Sequence, residues 1–173
     1  MVIPVTNPSF GSIQTELGGS NPIYMGEYTA WTEESSSTNE VGMSQFRGGF
    51  GLTVGKHSIP NSKGLGSSNY YGYSNLANWN VQNGSVTSTT MIMPSGTLGA
   101  VYYATTESRV TYVVQTGSNS NSGWTTLTIK GYTYNRASAT SYSYSSPNAT
   151  WIFSTSTDPF GGTYGDTTLI QVI

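Results

Sequence analysis

The sequence predicts a mainly β fold: an antiparallel β-sandwich or jelly-roll C-terminal domain behind a short, partly helical N-terminal arm. Three observations carry this. Strand-length runs of Val, Ile, Thr, Tyr and Trp recur from Leu76 to Ile173. Turn signals separate those runs roughly every 8–12 residues, the strongest being Asn83-Gly84. No helical period of useful length follows residue 48, and no fixed repeat or sustained heptad is present, so this chain encodes neither a coiled coil nor a β-helical shaft.

The elements follow in order. Residues 1–48 read as an arm of two or three short helices or turns. Ser9 and Ser12 can cap helix starts, because a serine oxygen accepts from the free N–H groups of the first turn. Ile13 and Leu17 lie four apart and share one helical face. Gly18-Gly19 ends that turn, and Asn21-Pro22 restarts the chain in an extended geometry. Ile23, Met25 and Tyr28 then offer apolar contacts, and a segment this short needs a larger body to dock on. Residues 49–75 are rich in Gly and Ser and read as loop, with one short strand at 51–54.

The β-domain is expected over residues 76–173. Segments 79–82 and 85–93 flank Asn83-Gly84 as a hairpin, and Pro94-Ser95-Gly96 makes a turn. Segments 97–104 and 109–116 read as strands, and 117–123 (GSNSNSG) as a flexible loop. Segment 124–134 reads as the longest strand, with clear alternation and Gly131 inside it. Segments 139–144, 149–155 and 166–173 complete the set; the last is apolar and expected to be tied into a sheet.

Composition narrows the function. Only 8% of the residues are charged, about a third of the usual share, and Ser, Thr, Asn and Gly fill the gap. The net charge of −2 gives no reason to expect nucleic acid as a partner. The charge is uneven: Glu16, Glu27, Glu33, Glu34 and Glu40 precede the first basic residue, Arg47. Such an acidic arm suits a basic partner surface equally well as solvent. The chain has no cysteine, which excludes disulfides, thiol catalysis and Cys-ligated zinc. No run of 18 apolar residues is present, so no membrane-spanning helix is expected, and no signal peptide is visible.

Catalytic patterns are weak throughout, and no catalytic, cofactor or metal site is expected. His57 is the only histidine and lacks a nucleophile motif; it reads as a loop residue. The stretch GFGLTVGKH misplaces the glycines of a phosphate loop and has His57 where a hydroxyl residue is required. Glu107, Asp158 and Asp166 are the only acids of the β region, a thin supply for a glycosidase pair. Asp158, Asp166 and Asn148 are possible calcium ligands, but turn-forming roles fit them better. The two sequons, at Asn83 and Asn148, also read as turns.

The aromatic residues are the serious functional candidates. Tyr70, Tyr71 and Tyr73 lie in a Gly/Ser-rich stretch, and Tyr142 and Tyr144 near a second loop. Rigid rings among Ser, Gly and Asn make adaptable contact surfaces, for a glycan or for a sister subunit. Trp79, Trp124 and Trp151 read as core.

One set of residues carries a resemblance. Ile13-Gln14-Thr15-Glu16-Leu17-Gly18-Gly19-Ser20-Asn21-Pro22-Ile23, then Glu27-Tyr28, then Met43-Ser44-Gln45-Phe46-Arg47-Gly48, together resemble a short module of tailed-bacteriophage virion structural proteins, tail- or fibre-associated. The boxes cover under a quarter of the chain, and the polar spacer between the second and third departs from the pattern. The resemblance implies a structural component of the tail, baseplate or fibre apparatus, not an enzyme. It would be assembled in the host cytoplasm into the virion, with other virion proteins and copies of itself as partners. Ile13, Leu17, Ile23, Tyr28 and Phe46 would be apolar anchors; Gly18, Gly19, Asn21 and Pro22 would shape the arm; Glu16 would bond a partner N–H or cation. Two alternatives stand beside it: a carbohydrate-binding receptor-recognition tip, and a capsid decoration or head-fibre protein.

Overall fold

Alternating apolar and polar residues build two antiparallel sheets whose apolar faces meet in a sandwich. The structure is a computed structural model that describes residues 13–14, 49–60, 67–76, 84–86, 90–91, 96–162 and 164–173. Among these residues the strands are β1 (Gly49–Thr53), β2 (Gly55–Pro60), β3 (Ser67–Ser74), β4 (Ser85–Val86), β5 (Thr90–Met91), β6 (Gly96–Ala104), β7 (Arg109–Gln115), β8 (Thr126–Ile129), β9 (Tyr132–Asn135), β10 (Ser141–Ser145), β11 (Asn148–Ser154) and β12 (Thr167–Val172). The smaller sheet runs β4-β1-β12-β8-β9. The larger runs β10-β11-β7-β6-β3-β2, with β5 paired to the start of β6.

Pairing fixes which side chains face inward, because directly opposed residues of an antiparallel pair share a face. In the larger sheet, Phe153 opposes Val110 and Trp151 opposes Tyr112, and all four are buried in the core between the sheets. In the smaller sheet, Phe50 opposes Ile170, which also opposes Ile129. Each such side chain contributes about 1.5–3 kcal/mol by leaving water. The middle of the larger sheet is also buried on its outer side, where Ala100, Ala104, Thr111 and Val113 lie.

Strands β6, β7, β10, β11 and β12 fall where alternation places them. Segment 166–173 is the inner strand β12, held between β1 and β8. Two expectations are corrected. Region 49–75, expected as loop with one short strand at 51–54, contains β1 at that place, deep in the smaller sheet, and β2 and β3 besides. Its glycines lowered its apparent strand character, but Gly49 and Gly51 occupy outward positions while Phe50 and Leu52 fill the core. Segment 124–134 is a hairpin instead of one strand: Lys130 and Gly131 have φ of 46° and 81°, and Ile129 opposes Tyr132 across them. Of the hairpin expected around Asn83-Gly84, the described parts are Gly84, β4 and β5, and the first flank with Trp79 lies outside the described residues.

Of the arm, Ile13 and Gln14 are described; both are helical, and Ile13 is fully buried within its own chain. Glu16, Leu17, Gly18, Gly19, Asn21, Pro22, Ile23, Tyr28 and Phe46 lie outside the described residues.

Candidate functional site

The tyrosines singled out in the sequence lie on strands, in two groups that are not neighbours. Tyr70, Tyr71 and Tyr73 are on β3; Tyr142 and Tyr144 are on the edge strand β10, with β11, β7 and β6 between. The loop setting expected for the first group is therefore corrected. Tyr71 and Tyr73 oppose Tyr103 and Val101, so they look inward and pack against the core. Lys56 holds its ammonium 5.9 Å from the centre of the Tyr71 ring. Tyr70 takes the opposite face, 5.8 Å from the ring of His57 and 5.7 Å from that of Tyr102. Burial raises the Tyr70 phenol pKa, with Glu107 adding to the shift and Arg109 opposing it. His57, expected in a loop, is a buried residue of β2.

The second group sits on an aromatic cluster. Tyr142 and Tyr144 oppose Trp151 and Ala149 and so also look inward. Tyr142 lies 5.2 Å from Trp151, ring centre to ring centre. Trp124 meets Trp151 and Tyr112 edge-on, both at 5.3 Å, and Tyr134 meets Phe153 at 5.4 Å. The expectation that Trp124 and Trp151 belong to the core is met. The Trp124 Nε1 is buried without a hydrogen-bond partner, and its ring packs against those of Tyr112, Trp151 and Phe153.

Two crossovers between the sheets close this end. Loop 117–123 carries the chain from β7 to β8, and a 3-10 turn at Arg136–Ser138 carries it from β9 towards β10. The loop is pinned to the rings beneath it. Tyr142 Oη donates to Asn119 Oδ1 at 2.9 Å, and Trp151 Nε1 donates to Asn121 Oδ1 at 2.7 Å. Arg136 joins the crossovers: its Nε donates to the Trp124 carbonyl at 2.5 Å, and its Nη1 to the Asn121 carbonyl and, at 3.3 Å, to Asn121 Oδ1.

These bonds decide what the surface offers. Both amide oxygens are turned to internal donors, so both amide NH2 groups are turned away from the rings. Arg136 bonds neutral oxygens only, and among the described residues no carboxylate pairs with it. The result is a small array of donors carrying one positive charge, beside half-buried tyrosine rings.

Among the described residues no group of three or more His, Cys, Asp or Glu comes together. Asp158 spends one oxygen on the N–H of Phe160 at 2.8 Å and the other on that of Gly162 at 2.7 Å, the turn role its sequence suggested. Burial raises its pKa, and those two N–H bonds oppose the rise. Asn119, Asn121 and Arg136 were not legible as a site: GSNSNSG reads as linker, and only the fold shows that its amides cap Trp151 and Tyr142.

No family model, no curated protein and no solved structure matches the chain.

Proposed function

We propose that the chain is a structural component of a tailed-phage virion, in the tail, baseplate or fibre apparatus. Residues 1–48 anchor it, and the sandwich packs against sister copies or touches the host surface. The observation that carries this reading is the module resemblance over residues 13–48, with the first strand among the described residues, β1, beginning at the next residue, Gly49. An arm-plus-sandwich division suits a part that docks by one segment and presents another. The strands at one edge support it too. Both β9 (YTYN) and β10 (SYSYS) lack charges and proline, the devices that usually keep sheet edges from pairing. Ile13 is covered by its own chain and so would not itself face a partner.

The test combines light scattering of the purified chain with immunogold labelling of intact particles. Discrete trimers or hexamers with label on the tail are expected. A monomer that labels no particle would overturn the reading, and label on the head would move it to capsid decoration.

A further inference from the structure

We propose that Asn119, Asn121 and Arg136 form a binding site for the carboxylate of an acidic saccharide, with the Tyr142 ring as the wall against which the sugar lies. The proposal deepens the host-surface half of the reading above and rests on it only for its biological setting.

The site's specificity follows from its hydrogen-bond accounting. Asn119 Oδ1 is taken by Tyr142, and Asn121 Oδ1 by Trp151 and Arg136. Each side-chain amide therefore has its NH2 left to give, and Arg136 has Nη2 left after Nε and Nη1 are used. The two amides belong to one short loop and bond neighbouring rings, since Tyr142 and Trp151 are cross-strand neighbours 5.2 Å apart. Three donor groups, two amides and a guanidinium, with no free carboxylate beside them among the described residues, select an acceptor. A single guanidinium charge matches a planar monoanion such as a carboxylate better than a phosphate dianion.

The setting selects a sugar among carboxylates. Tyr142 is half-buried on an edge strand, held by its phenol and by Trp151, so its ring is fixed before a ligand arrives. A rigid ring beside fixed donors suits the C–H face of a pyranose, while Ser118 on the same loop carries a hydroxyl for its alcohols and Ser120 and Ser122 bond each other. Because the loop is already bonded to the rings, little ordering remains to be done on binding.

The full chain is applied to an array of hexuronic- and nonulosonic-acid oligosaccharides. Their carboxyl-reduced counterparts, neutral glycans and an oligoglutamate peptide are printed beside them. The best probe is then titrated by tryptophan fluorescence, since Trp124 and Trp151 lie directly beneath the site. Binding confined to the carboxylate-bearing sugars is expected. Asn119→Asp and Asn121→Asp keep the oxygen that accepts from Tyr142 or Trp151 but replace the outward NH2 with an oxygen. Each should weaken binding roughly tenfold or more while leaving the melting temperature near that of the parent. Arg109→Gln, at a residue paired with Glu107, should bind like the parent. The proposal is overturned by no retention of any acidic sugar, by equal retention of the reduced sugars or of oligoglutamate, or by aspartate variants that bind as tightly as the parent. All of these readouts use the isolated chain, whereas particle labelling reports location, so either proposal can fail without the other.

Discussion

The two tyrosine groups of this sandwich have almost the same local sequence and different surroundings. On β3, Tyr71-Gly72-Tyr73-Ser74 alternates rings with small residues after Tyr70; on β10, SYSYS alternates throughout. At the β3 end the polar neighbours are mostly charged or titratable: Lys56 over Tyr71, and Glu107 and Arg109 acting on Tyr70. Those charges largely answer one another, with Arg109 bonded to Glu107 at 2.5 Å. At the β10 end the neighbours are amides and one arginine that pairs with no carboxylate among the described residues. Alternating tyrosines therefore mark a sheet flank, and the loop laid over the flank decides whether it can recognise anything.

The comparison breaks most severely at Trp151. It is fully buried and touches Tyr112, Trp124 and Tyr142, while Tyr71 at the other end is only half-buried. Trp151→Ala should cost about 3–5 kcal/mol, and Tyr71→Ala about 1–2 kcal/mol. Equal losses in urea denaturation would mean that the two ends carry the core alike. The next largest effect belongs to the β3 end. Gly72 has φ of +138°, and a Cβ there would stand 2.2 Å from the Val101 carbonyl oxygen. Backbone must shift, so Gly72→Ala should cost about 2–3 kcal/mol. A loss below 1 kcal/mol would show that β3 and β6 can separate locally without unfolding the sandwich.

The same contrast explains what could be read from the sequence. β7, β11 and β12 were legible because each buries a regular set of apolar side chains on one face at least. Of β1 only the part within the strand expected at 51–54 was legible, and β2 and β3 were hidden by glycine, serine and asparagine, whose strand state depends on partners distant in sequence: β12 for β1 and β6 for β3. The Lys130-Gly131 turn was hidden by perfect alternation on both sides of it. The candidate site was hidden for a further reason. An asparagine in GSNSNSG looks the same whether it faces water or caps a tryptophan, and the difference lies in a residue 30 positions away.

Alkaline pH sharpens the comparison by a smaller amount. Burial pushes the Tyr134 phenol up to about 12, with Tyr132 and Asp158 adding to the rise. The folded state thus holds the phenol proton more tightly than the unfolded chain, whose value is 10.0. Its contribution is complete below pH 10 and is lost as pH rises towards 12. Partial exposure keeps the contribution below about 1.5 kcal/mol. Stability should therefore fall above pH 10, and Tyr134→Phe should flatten part of that fall. An unchanged slope would assign the alkaline loss elsewhere, first to the fully buried Tyr112, whose phenol burial raises still further.

The finest test separates the two tyrosines of β10. They share a strand, a face and half-burial, but only Tyr142 is shown bonding loop 117–123, through Asn119. Tyr142→Phe leaves the ring on Trp151 and removes that one bond, at a site where water can replace it. The expected loss is about 0.5–1 kcal/mol, against close to zero for Tyr144→Phe. Amide hydrogen exchange should report the same difference locally, with faster exchange in residues 117–123 for the first variant and not for the second. If both variants exchange alike, the phenol does not hold the loop. The fixed donor array would then have to rest on Asn121 alone, through Trp151 and Arg136.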